Sequence, residues 1–223
     1  MENRYLRNIP ALSEKDCALL RQKKVAVIGC GGLGGYLIEY LARIGVGSIR
    51  AVDGDRFDET NLNRQLLSTV SLLGKSKAQA AVARVGEIAP EVKPEAVETY
   101  LDGSNAQTLI AGCDAVLDGL DNIPARKTLA KACAEAGIPY IYGAISGWTA
   151  QAAVFMPGDH LLETLYPEGV EARDWGALSF TPALCAAFQT SLCVRLLTGR
   201  PLETGKLHCV DLLGEEYQQI PLK

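Results

Sequence analysis

Histidine is nearly absent: two stand among 223 residues, and the seven cysteines (Cys17, Cys30, Cys113, Cys133, Cys185, Cys193, Cys209) never fall into a C-x-x-C pair. An odd, scattered set of thiols excludes a disulfide framework, and so few imidazoles leave a structural zinc knuckle without ligands. These cysteines are expected to be small buried hydrophobes. A run of about 18 consecutive apolar residues is also missing, so no membrane crossing is predicted. The opening MENRYLRNIPALSEKD is charged from its second residue and has no apolar signal core. A cytoplasmic protein is the expectation. Charge of one sign is not clustered either: 22 basic and 26 acidic residues give a net −4 without long runs. That weighs against a nucleic-acid partner, which would call for a concentrated basic face. Neither an internal repeat nor a low-complexity linker interrupts the chain.

What is present is a 48% hydrophobic chain, enough for one substantial core. Residues 1–223 read as one domain, with 1–23 as a helical lead-in in which Ser13 is the N-cap. KVAVIG (24–29) is a short β-branched run ending in glycine, the mark of a buried parallel strand. Helix periodicity follows over 32–46, then a second strand at 48–53 ending in Asp53. The polar stretch GDRFDETNLNRQLLST is longer than a crossover needs, and long ordered loops tend to be functional. Helices over 75–89, 124–136 and 182–197 and strands over 92–99, 115–120, 139–145, 150–156, 207–213 and 217–222 complete the pattern. Residues 158–181 break it and read as an irregular crossover segment, with Tyr166 and Trp175 as packing residues. The alternation predicts an α/β protein.

Gly29-Cys30-Gly31-Gly32-Leu33-Gly34 satisfies G-x-G-x-x-G between a strand and a helix. Glycine is needed there because the turn is tight and a phosphate must approach backbone N–H groups at the helix N-terminus. Asp53, ending the next strand, is placed to accept from ribose hydroxyls. The fold expected is therefore a Rossmann-like open sheet, parallel in its N-terminal half and mixed towards the C-terminus, with helices on both faces. Alone, these residues say only "nucleotide", and NAD is the standard occupant. Arg64 in the long loop, Lys77 opening the next helix and Asp121-Asn122 after the fourth strand move the reading away from NAD. Hydride transfer needs no cations around phosphates, whereas displacing pyrophosphate does, because charge builds on the departing oxygens. Taken singly, Arg64 is more often a surface ion-pair partner, Lys77 a solvated lysine and Asp121 a helix cap. Convergence on one sheet edge favours ATP, with Asp121 as an oxygen ligand for Mg²⁺.

Seven short motifs then carry a resemblance over almost the full length: R-Y-x-R (Arg4, Tyr5, Arg7), G-x-G-G-L-G (Gly29 to Gly34), D-x-D (Asp53, Asp55), T-N-L-N-R-Q (Thr60 to Gln65), G-x-x-K (Gly74 to Lys77), D-x-x-D-N (Asp118 to Asn122) and L-L-T-G (Leu196 to Gly199). The sequence resembles the ThiF/HesA/MoeB family of adenylyltransferases, relatives of the ubiquitin-activating enzymes. That resemblance implies ATP- and Mg²⁺-dependent adenylation of the C-terminal Gly-Gly carboxylate of a ubiquitin-like sulfur carrier of the ThiS/MoaD kind. It implies nucleotide contacts from Gly29, Gly31, Gly32, Gly34, Asp53, Asp55, Asn61, Arg64, Gln65, Lys77, Asp121 and Asn122. Catalytic roles fall to Arg64, Lys77, Asp121 and Arg7. Asp121 would bind Mg²⁺, and Arg7 would reach the site of another subunit in a homodimer.

Two family features are missing. HLLETLYP (160–167) stands where many relatives carry the first zinc-binding C-x-x-C, so no zinc is expected; VEARDW (170–175), just before Gly176, holds no cysteine where some relatives have one, so no covalent enzyme–carrier step is expected. Cys185 sits in an apolar helical pattern and reads as core. Alternatives from other classes are adenylation of another carboxylate or a tRNA-linked substrate, an NAD-dependent oxidoreductase, and a silent scaffold.

Overall fold

The computed structural model describes residues 3–159, 161–170 and 175–222. His160 and residues 171–174, part of the segment expected to be irregular, lie outside the described residues. Eight strands, β1 (Lys24–Ile28), β2 (Ser48–Val52), β3 (Lys93–Val97), β4 (Ala115–Asp118), β5 (Tyr140–Ser146), β6 (Thr149–Phe155), β7 (Lys206–Asp211) and β8 (Glu216–Pro221), form one sheet. Their order is β3-β2-β1-β4-β5-β6-β7-β8. The first five run parallel and the last three pair antiparallel. The chain builds outward from β1 to β3 and then returns to place β4 on the other side of β1. Carboxyl ends of strands that part in this way open a crevice, the usual ligand position in open α/β sheets.

Among the described residues seven α-helices cover both faces: α1 (Glu14–Leu20), α2 (Gly32–Ile44), α3 (Lys77–Ile88), α4 (Ala106–Ile110), α5 (Ile123–Ala136), α6 (Leu161–Leu165) and α7 (Phe180–Leu197). Strand side chains alternate between two cores. Val25 and Val27 of β1 pack with Leu37, Ile38 and Leu41 of α2, Ala81 of α3 and Leu192 of α7. Ala26 and Ile28 pack with Ile110 of α4 and with Leu129 and Cys133 of α5. Full burial of each large aliphatic side chain contributes about 1.5–3 kcal/mol, which holds the two layers on the sheet. Six of the seven cysteines are buried, in keeping with their reading as hydrophobes; Cys209 is half-buried.

The lead-in is docked. Ser13 caps α1 in a reciprocal capping box with Asp16, and buried Tyr5 lies under Gly45 at the end of α2 with its hydroxyl bonded to Glu91. α7 has the length and mean hydropathy of a bilayer crossing. It packs against the sheet and α2, and its buried residues include Thr181, Gln189 and Thr190.

Three expectations are corrected. The strand expected to reach Leu120 ends at Asp118, whose carboxylate accepts the Leu120 N–H at 2.8 Å and turns the chain. Residues 158–181 are not wholly irregular, since α6 forms there. Trp175 is not a packing residue; it is 69% exposed.

Candidate active site

A cleft of about 1020 Å³ opens at the carboxyl ends of β1, β2 and β4. Gly29, Gly31 and Gly32 line one wall. Gly31, the N-cap of α2, offers no side-chain cap, so the first-turn N–H groups remain for an anion. Gly34 does not line the cleft. A Cβ there would stand 1.7 Å from the Gly29 carbonyl oxygen, so its part is the close approach of α2 to β1.

Asp53 lines the cleft, but its carboxylate is already engaged. Oδ2 accepts the Cys30 N–H at 2.6 Å and Oδ1 the Asp55 N–H at 2.7 Å. It therefore holds the glycine turn in shape, and each oxygen keeps lone-pair capacity for a further donor. Sequence reasoning gave Asp53 only the second of these jobs. Asp55 ties to Lys77 at 3.0 Å and to the Tyr100 hydroxyl at 2.6 Å. The Tyr100 hydrogen bond, with Lys77 behind it, holds the Asp55 carboxyl below its ordinary range. Lys77 is 6% exposed and lines the cleft, which overturns the bland reading of a solvated first-turn lysine.

The loop after β2 is built on Asn61. Its Oδ1 accepts the Asp58 N–H at 3.1 Å, closing a capping box on the short turn Glu59–Asn61. Buried Asn61 does not line the cleft; it shapes the loop that presents Asn63, Arg64 and Gln65, which do. The Arg64 guanidinium donates to Thr60 O at 3.0 Å and Asn63 Oδ1 at 2.9 Å and makes no ion pair among the described residues. Gln65 is 7% exposed with its Oε1 buried and unpartnered. A buried orphan acceptor on a cleft wall asks for a ligand donor or a water.

Across the cleft stands exposed Asp121, with the Asn122 amide donating to it at 3.2 Å. Asn122 also caps α5 through the Ala125 N–H at 2.9 Å. Behind them lies a group the sequence reading missed. Arg126 is buried beside fully buried Asp118, Nε to Oδ2 3.3 Å, and donates to Leu120 O at 2.6 Å and the Tyr166 hydroxyl at 2.9 Å. Tyr140 donates to Asp118 at 2.5 Å. Burial pushes the Asp118 carboxyl up while Arg126 and Tyr140 hold it down. The signal was available: Arg126 falls on the same stripe as buried Leu129 and Cys133, an odd place for a cation. Tyr166 packs as expected, edge-on to Tyr142 with 2.6 Å between hydroxyls. Exposed Trp175, with Gly176 and Ala177, lines the far side of the cleft.

Arg7 is exposed on the 3-10 turn Asn3–Asn8 and is not among the residues lining this cleft. Among the described residues no group of three or more His, Cys, Asp or Glu side chains is placed to hold a metal ion. Cys185 is fully buried and its thiol is pushed up to about 12, which leaves it un-ionised at neutral pH.

The chain belongs to the ThiF family, whose sequence model matches residues 3–223. It is 34% identical over 212 residues to the "SAMP-activating enzyme E1" of Haloferax volcanii, covering 92% of this chain and 78% of that protein. It is 37% identical over 235 residues to the "probable adenylyltransferase/sulfurtransferase MoeZ" of Mycobacterium tuberculosis, where it spans 99% of itself and 60% of the relative. With the "sulfur carrier protein adenylyltransferase" of Thermus thermophilus it shares 30% identity over 237 residues, covering 99% of this chain and 87% of that protein. The crystal structure titled "E. coli MccB + ATP" superposes with a TM-score of 0.87 at 20% identity, over all of this chain and 71% of that one, and shows the same fold. The protein is an adenylyltransferase of this family.

Proposed function

We propose that the enzyme activates the C-terminal Gly-Gly carboxylate of a small ubiquitin-like sulfur-carrier protein with ATP. A carboxylate oxygen attacks the α-phosphorus, the bond to the bridging oxygen breaks, and the electron pair leaves on pyrophosphate. The products are the carrier acyl-adenylate and pyrophosphate. The observation that carries this reading is the meeting, in one cleft, of the open N-terminus of α2, Arg64 and Lys77 with Asp121 on the opposite wall.

Cations fixed in place before reaction stabilise charge growing on the departing oxygens without reorganisation. Arg64 and Lys77 would do this, and Asp53 would receive the ribose. Gln65, through its unpartnered Oε1, would take a donor from the nucleotide or its water. A carboxylate is already nucleophilic, so alignment is the larger part of the work. One carboxylate with phosphate oxygens and water is a donor set that Mg²⁺ accepts, and Asp121, with Asn122 beside it, fits that need. Bound there, the ion would neutralise phosphate charge. Arg7, away from its own cleft, would serve the cleft of a second copy in a homodimer. The cytoplasm is the proposed location.

ATP–pyrophosphate exchange with purified Gly-Gly carriers tests the proposal. Exchange that appears only with a carrier, and vanishes when its last glycine is removed, supports it. Exchange indifferent to every carrier, or driven by an unrelated carboxylate, sinks the carrier assignment.

A further inference from the structure

Thr181, Cys185 and Gln189 are spaced four apart on α7, and all three are fully buried. That spacing puts them on one face of the helix. Each donates to a backbone carbonyl of the sheet or of the β5–β6 turn. Thr181 Oγ1 reaches Gly147 O at 2.9 Å, and Cys185 Sγ reaches Gln151 O at 3.2 Å. Gln189 Nε2 reaches Asp118 O at 2.9 Å and Ile141 O at 3.1 Å. The last contact matters most. β4 and β5 are paired only at Val116–Tyr140 and Leu117–Ile141. Beyond that point the strands part, and the Gln189 amide sits between them using both of its protons. Gly143 makes the room: a Cβ there would stand 2.2 Å from Gln189 Cδ.

The turn from Asp118 to Asn122 carries Asp121. Arg126 grips it from the α5 layer through Leu120 O, and Gln189 grips it from the α7 layer through Asp118 O. Gln189 also binds β5, whose Ala144 and Ile145 line the far wall of the cleft. We propose that Gln189 is a positioning residue for adenylation, setting the spread of β4 from β5 and so the place of Asp121 relative to the β5 wall of Ala144 and Ile145. The inference rests on the function proposed above; Asp53 and Lys77, after β2 and at the start of α3, are held by contacts of their own, and the turn that Gln189 grips meets the glycine turn through the Gly119 N–H, which donates to Ile28 O at 2.8 Å.

Gln189→Met is compared with Leu192→Ala, a core truncation on the same helix outside the cleft lining. Amide hydrogen exchange and carrier-dependent ATP–pyrophosphate exchange are measured below both melting temperatures. Gln189→Met is expected to unprotect the Gly119 and Leu120 amides. It should lower kcat roughly ten- to hundred-fold, with KM for ATP unchanged within about twofold. Leu192→Ala should keep both that protection and kcat. Wild-type protection at Leu120 in Gln189→Met overturns the proposal, as does an equal loss of kcat in Leu192→Ala. If the wild-type enzyme shows no exchange with any carrier, the functional reading fails, and the amide measurement still decides whether Gln189 holds the turn.

Discussion

Arg126→Met removes the cation from the ion pair behind the cleft while keeping much of the aliphatic stem. Asp118 stays fully buried, so its carboxylate loses its counter-charge without gaining water. Breaking a buried pair from one side costs about 3–5 kcal/mol. Loss of the donors to Leu120 O and the Tyr166 hydroxyl adds about 1 kcal/mol in all, since part of that loss is already counted in the pair. For a chain of this length each kcal/mol lowers Tm by about 2–4 °C, so a fall of about 8–24 °C is expected. The pH dependence has a definite sign. Burial already raises the Asp118 carboxyl, and without Arg126 it rises further. A carboxyl raised in the folded state gives stability that is full below its unfolded value and is lost as pH climbs through the folded one. The variant's deficit is therefore larger at pH 8 than at pH 5. Thermal melts at both pH values, together with Asp118→Asn and the double variant, complete the test. Asp118→Asn added to Arg126→Met should restore about 1 kcal/mol or more. A deficit below about 1 kcal/mol, or one that shrinks as pH rises, refutes the reasoning.

Lys77→Met should cut ATP–pyrophosphate exchange by about 10²–10³, the scale for one lost charge-stabilising donor. Its effect on Tm should be small because the Asp55 partner is half exposed to water; a normal exchange rate would remove Lys77 from the phosphate site. Asp121→Ala should abolish exchange at every Mg²⁺ concentration tried, and near-normal exchange would withdraw the metal assignment. Asp16 is held down to about 2, chiefly by its hydrogen bond to Arg200 and then by the Ser13 capping box. Its stabilising effect is full above the ordinary aspartate range near 3.8 and is lost as pH falls through about 2. Acid titration followed by circular dichroism should therefore show a shallower acid limb in Asp16→Asn; an unchanged limb counts against the capping role.

The placing of the glycine turn, Asp53 and Lys77 on one cleft was legible because its signals are local. The glycine turn, the strand ending in Asp53 and the lysine opening α3 each lie within a few residues of the element that positions them. The presence and order of the buried strands followed from their apolar runs for the same reason, though β4 stops short of the expected Leu120 at Asp118. What escaped was set by contacts that no local pattern names. Arg126 shares the buried stripe of Leu129 and Cys133, but that its partner is Asp118 shows only once the chain has turned from β4 into α5. Gln189 has no meaning until β4 and β5 part beside Gly143. α4 and α6, five residues each, are too short to show a helical period. Trp175 was assigned to packing from its size, yet among the described residues it stays largely exposed.

The carboxylates and cations around the cleft are mostly committed to one another. Asp53 holds two backbone N–H groups, Asp55 holds Lys77 and Tyr100, and Asp118 holds Arg126 and Tyr140. Three charges on the cleft wall have no partner of opposite sign among the described residues: Asp53, which is met by backbone N–H groups, Arg64 on the loop after β2, and Asp121 after β4. A dinucleotide would satisfy Arg64 and repel Asp121. A polyphosphate carrying a divalent cation satisfies both, phosphate oxygens meeting Arg64 and the cation meeting Asp121. The side chains that would meet them are held from different layers: Asp53 and Asn61 shape the glycine turn and the Arg64 loop, while Arg126 and Gln189 hold the turn that carries Asp121.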